Sequence, residues 1–124
     1  MSLVFGYAAG ASPGSRSGMR AHADGRVELL EPGAGWREIA TMTPDEVEQL
    51  ADRTRAAGIL DLPAEVPRPE HMDGGGDCEL WTELDGRDVH SVIHGWSEMN
   101  PQARPSLELV LAMSALVSAA QARG

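Results

Sequence analysis

The dipeptide Asp85-Gly86, set between the alternating stretches 78–84 and 87–94, constrains this chain more than any other feature. A two-residue Asp-Gly connection supplies the positive φ angles of a type I′ turn, whose twist matches that of paired strands. It therefore dictates one register: Leu84 opposite Arg87, Glu83 opposite Asp88, Thr82 opposite Val89 and Trp81 opposite His90. The period of two then sorts the side chains. Cys78, Leu80, Thr82 and Leu84 share the better core face with Val89, Ser91 and Ile93. Asp77, Glu79, Trp81 and Glu83 share the other with Asp88, His90, Val92 and His94.

This sorting decides how the two histidines are read. Residues four apart are about 13 Å apart along a strand, against about 6 Å on a helix, so one metal ion cannot bridge His90 and His94 here. Cys78 is expected to face away from both, which disfavours a Cys-His nucleophilic pair. Asp77 falls opposite His94 with Glu79 diagonal to it, a carboxylate-histidine cluster that, with His71, has the chemistry to hold a metal or tune a general base. The expectation is the plainer one, a solvated sheet face with a cross-strand charge pair. Asp77, Glu79, Trp81, His90 and His94 are accordingly taken as an interaction face, with no catalytic, metal-ligating or cofactor-binding residue assigned.

The remaining segments build a fold around this hairpin. Residues 3–8 form a short apolar run, and 9–18 a loop of small residues with Pro13. Asp24-Gly25 predicts a second type I′ hairpin between 19–23 and 26–30. Residues 36–42 read as a further strand, with Trp36, Glu38 and Ala40 on one side and Arg37, Ile39 and Thr41 on the other. Thr43-Pro44-Asp45-Glu46 is a capping box with proline at the first helical position, and it opens a helix over 44–57. Val47, Leu50, Ala51 and Thr54 make its buried stripe, Arg53 and Arg55 suit its C-terminal end, and Gly58 stops it. Residues 63–77 form a long Pro/Gly-rich loop, of a length that is either functional or disordered, and the expectation is a disordered connector in which Gly74-Gly75-Gly76 is a flexible joint. A last helix spans 105–121. Its segment 107–120 is apolar on nearly every side, as in a helix that is sandwiched in a core or shared with a second chain.

The expected fold is α+β, a mostly antiparallel sheet of four to six strands with two helices on one face, in a single domain over 1–124. At 124 residues the chain is long enough to bury an ordinary core. Its one cysteine excludes an intramolecular disulfide framework and suits a reducing cytoplasm, and no secretory leader is evident. A net charge of −9 disfavours nucleic acid and anionic membranes as partners and favours solubility, or a basic partner.

The segment Arg55-Ala56-Ala57-Gly58-Ile59-Leu60-Asp61-Leu62-Pro63, with Leu50 before it, Asp77 ahead of the next strand and Val89-His90-Ser91-Val92 in the strand after, resembles small bacterial domains of unknown function. More distantly it resembles the emfourin-type proteinaceous inhibitors of thermolysin-like metalloproteases. The likeness covers the middle half of the chain. Gly6-Tyr7-Ala8-Ala9-Gly10 stands where those inhibitors carry a glycine-glycine-aromatic segment, so no inhibitory residue is carried over. The resemblance implies a non-enzymatic binding or regulatory module with a protein partner. Two other classes remain open: a metal-binding or hydrolytic protein using the histidine face, and a self-associating protein that dimerises through its C-terminal helix.

Overall fold

A computed structural model describes residues 2–10, 15–72 and 76–124. The chain runs β1 (Leu3–Gly10), β2 (Ser17–His22), β3 (Arg26–Glu31), β4 (Gly35–Thr41), α1 (Pro44–Ala56), a single 3-10 turn (Ile59–Asp61), β5 (Glu65–Val66), β6 (Gly76–Leu84), β7 (Arg87–Trp96) and α2 (Arg104–Arg123). The strands form one sheet of order β4-β3-β2-β1-β6-β7-β5, antiparallel throughout except where β5 lies parallel to β7. Both helices lie against one face, as expected for an α+β domain. The described strands number seven rather than four to six. The extra one, β5, is a two-residue pairing inside the Pro/Gly-rich 63–77 segment, too short to show any periodicity. Of the predicted glycine joint, Gly74 and Gly75 lie outside the described residues.

The helix α1 forms as the capping box predicts. The Glu46 amide donates to Thr43 Oγ1 at 3.2 Å, and the Thr43 amide donates to Glu46 Oε1 at 2.8 Å. Leu50, Ala51 and Thr54 are buried, and the Thr54 hydroxyl is satisfied by the Leu50 carbonyl at 2.8 Å. Gly58, at φ +75°, takes the left-handed conformation that ends the helix. Glu46 has a second role: Arg123, at the far end of α2, donates to both its carboxylate oxygens at 2.5 and 2.9 Å, clasping the two helices. Along α2 the buried positions are Ser106, Leu109, Met113, Val117 and Ala120, a single stripe at helical spacing. Leu111, on another side, is 69% exposed. By length and composition this helix is apolar enough to cross a membrane, yet its stripe is built into the domain core.

Three bulges shape the sheet among the described residues. At Val4 one extra residue opposes the His22–Ala21 step, which lets the consecutive Val4 and Phe5 both be buried. The Val4 carbonyl is met by the Thr82 hydroxyl at 2.6 Å. At Ile39 an extra residue opposes the Val27–Glu28 step. Trp36 and Glu38 therefore keep one face while Ala40 turns to the core beside Val27, correcting the expectation that all three share a side. At Gly95, φ +70°, the third bulge turns Trp96 inward, where its indole N–H donates to Ser106 Oγ at 2.9 Å. The buried Asn100 amide holds that bulge by donating to the Gly95 carbonyl at 3.0 Å.

The two Asp-Gly turns behave differently. Asp85 and Gly86 both have positive φ, 56° and 73°, and every register pair from the turn to Asp77–His94 is as expected. Arg55 of α1 pins this turn with a two-point contact to Asp85 at 2.9 and 3.0 Å. At the other site only Gly25 has positive φ, and Ala21 pairs with Val27, which makes a three-residue connection instead of a type I′ turn. The Gly25 carbonyl accepts from the Met42 amide at 2.8 Å, so the loop is set by the approach of the chain to α1.

Candidate functional site

Because both helices cover one face, the other face of the sheet is open, and its composition follows from register. One row across it reads Glu38, Glu28, Arg20, Gly6, Trp81 and His90. The adjacent row reads Trp36, Leu30, Gly18, Ala8, Glu79 and Val92. In the middle of both rows the side chains are smallest, with Gly6 and Ala8 on β1 and Gly18 on β2, and Ala8 floors the depression between the two walls. Trp36 and Leu30 rise on one side, Trp81 and Glu79 on the other, and Arg16 closes an end. The resulting trough encloses about 370 Å³. Another depression, about 310 Å³ between the two helices, has alanine walls and no aromatic side chain.

The walls are held by charge and stacking. Trp81 stacks on His90 with ring centroids 5.5 Å apart and planes 16° from parallel. Glu79 accepts from His90 Nε2 at 2.8 Å through one oxygen and pairs with Arg16 through the other. On the opposite wall the Arg20 guanidinium lies 4.2 Å above the Trp36 ring, a cation-π contact, while its Nε donates to Glu28 Oε1 at 2.8 Å. The same Glu28 oxygen contacts His22 Nε2 at 2.5 Å.

All of the five face residues read from the sequence lie on this open face, although not in one cluster. Asp77 does meet His94, Oδ1 to Nδ1 at 3.0 Å. Glu79, expected diagonal to His94, turns instead to His90 and Arg16. The second partner of His94 is Glu65, whose Oε1 is 3.2 Å from Nε2, and not His71, which sits in an exposed turn. Glu65 was missed because a two-residue parallel strand has no sequence signature. Its carboxylate and that of Asp77 approach opposite nitrogens of one ring, so they cannot converge with it on one ion. Among the described residues no group of three or more His, Cys, Asp and Glu side chains could hold a metal. Arg16, Arg20 and Ala8 were also missed as site residues, since they join Trp81 only through the pairing of β1 with β6.

Cys78 and Ser91 of the second hairpin are on the other face. Cys78 is fully buried, and burial pushes its thiol up to about 12. Ser91 is also fully buried and donates to the Pro63 carbonyl at 2.7 Å.

The face titrates in two directions. The Arg20 hydrogen bond, and then that of His22, hold the Glu28 carboxyl down to about 2 from its ordinary 4.5. Its folded value lies below its unfolded one, so its contribution to stability is complete above about pH 4.5 and is lost as pH falls through about 2. Acid titration of folding is expected to show a decline in that window that is shallower in Glu28→Gln. His94 shifts the other way, raised above 6.5 by its hydrogen bond to Asp77 and then by that to Glu65. Its contribution is complete below 6.5 and lost as pH rises through the raised value. An NMR titration of the His94 ring should give a lower midpoint in Asp77→Asn than in the parent protein.

No protein-family model matches the chain, and no curated protein matches it in sequence. Of the residues that carry the resemblance noted above, Leu50 and Ile59 are buried and Gly58 ends α1, whereas Asp77 and His90 lie on the open face.

Proposed function

We propose that this protein is a non-enzymatic binding module that presents the open face of its sheet to a protein partner. The observation that carries the reading is the trough, in which two tryptophans from opposite sides of the sheet stand over a floor with almost no side chains. Tryptophan supplies large, stiff contact area and is enriched among the residues that dominate interface energies. A concave surface with an apolar floor and a few placed charges is the usual form of a recognition site. A regulatory or inhibitor-like role, as the resemblance implies, would act through the same face.

The test is co-purification from the source cell with a Trp81→Ala control. Trp81 is half-buried and sits outside the core, so the variant is expected to fold. A stoichiometric partner captured by the parent protein and lost in the variant supports the module. Equal capture by both proteins would remove this face from the account.

A second reading rests on Leu111, 69% exposed on α2, with the half-buried Leu107 one turn before it. It makes α2 a self-association surface. Light scattering should then show a dimer that Leu111→Glu converts to monomer.

A further inference from the structure

We infer that the segment this face takes is extended and basic, with an arginine of the partner entering the trough against Trp81 and Glu79; this rests on the binding-face reading above. The face already shows the chemistry within its own chain. Arg20 lies flat on Trp36 while bonding Glu28, and Arg16 reaches Glu79 from the loop before β2. Arg20 is held by the two things that suit a planar cation, a carboxylate and an indole face, and Arg16 by a carboxylate alone. Arg16 stands where an incoming arginine would bind, and its side chain keeps 26% of its surface exposed.

Charge on the face points the same way. Glu28 lies directly opposite Glu38, and Glu83 directly opposite Asp88. Like charges in directly opposed positions destabilise a sheet. Arginine 20 offsets the first pair only at Glu28. Glu38, Glu83 and Asp88 have no ion-pair partner among the described residues. With Glu65 and Asp77 added at the β5 side, carboxylates well outnumber guanidinium groups across the face. A cationic partner relieves this repulsion, and its approach is accelerated by the same field.

The extended form follows from the floor. Ala8 of β1 lies between Trp36 and Leu30 on one side and Glu79 and Trp81 on the other, so the trough runs parallel to a strand. A segment laid along it in extended form directs every second side chain downward at about 6.6 Å intervals. There is space over Ala8 for such a chain to lie between the tryptophans, where a helix about 10 Å across would be held off by them.

The probe is a blocked heptapeptide of alternating alanine and arginine, with its alanine-glutamate counterpart as control, titrated against the full chain by tryptophan fluorescence and by amide NMR shifts. The arginine peptide is expected to bind saturably, to weaken with salt and to shift the amides of β1, β2 and β6. Trp81→Ala and Glu79→Gln should each weaken it on the order of tenfold. Arg16→Ala should tighten it several-fold by freeing Glu79, which a merely structural Arg16 would not do. Glu38→Gln, exposed and far from the core, tests the charge argument with no folding risk and should weaken binding about twofold. Equal binding of the two peptides, or arginine-peptide binding indifferent to both Trp81→Ala and Glu79→Gln, overturns the inference. A Trp81-dependent cellular partner whose contact segment is acidic or wholly apolar also overturns it, while leaving the binding-face reading standing. Loss of Trp81 dependence in partner capture removes that reading itself.

Discussion

Phe5→Ala is expected to lower the free energy of unfolding by about 3–5 kcal/mol, measured as a shift in urea midpoint at constant m-value. Phe5 is fully buried, and it is the only phenylalanine in the chain. It occupies the position after the Val4 bulge, with its ring 6.3 Å from that of Tyr7. Its neighbours in the sheet cannot close on the vacancy, because Ala21 opposite is already small and Val4 is held by the Thr82 hydroxyl. A domain of this size has a total stability of about 5–15 kcal/mol, so the variant is left near the limit of folding. Phe5→Leu retains most of the volume and should cost less than about 1.5 kcal/mol. The difference between the two variants measures packing rather than the loss of an aromatic ring.

The central position of Phe5 shows which parts of this fold are open to sequence reasoning. The second hairpin was legible residue by residue because Asp85 and Gly86 specify their own turn without help, and every pairing from there to Asp77 follows by counting. Helix α1 was legible for the same reason: Thr43, Pro44 and Glu46 act within one turn of backbone. The first hairpin carried an identical dipeptide, yet the bond from Met42 to the Gly25 carbonyl comes from a residue far along the chain, and tertiary structure set the loop. Bulges at Val4, Ile39 and Gly95 were not legible, since an inserted residue breaks the alternation without marking where. Two of them decide which tryptophans reach the open face: Trp36 does and Trp96 does not.

The candidate site was half legible in consequence. Its β6–β7 wall, with Trp81 stacked on His90, comes from a local hairpin. The opposing wall and the floor depend on β1 lying between β2 and β6, a pairing that joins residues some seventy positions apart and leaves no local trace. Counting along one hairpin placed Glu79 in a histidine cluster; the neighbouring strands supplied Arg16, which draws it elsewhere.

That floor is the subject of the second large effect. Gly18→Ala is expected to cost about 3 kcal/mol or more, above the ordinary penalty for one added methyl group. A Cβ at Gly18 would stand 1.8 Å from the Tyr7 carbonyl oxygen and 2.9 Å from the Ala8 Cα, all backbone atoms of the adjacent strand. No side chain can rotate away to make room, so β1 and β2 would have to separate along the Tyr7–Met19 and Ala8–Gly18 pairs. Gly33→Ala supplies the contrast. Its Cβ meets nothing within 4 Å, and the cost comes only from its φ of +76°, about 1 kcal/mol. Urea denaturation of both variants should separate close approach from conformational strain by about 2 kcal/mol. If the two variants instead prove equally stable, β1 and β2 do not approach closely at Gly18.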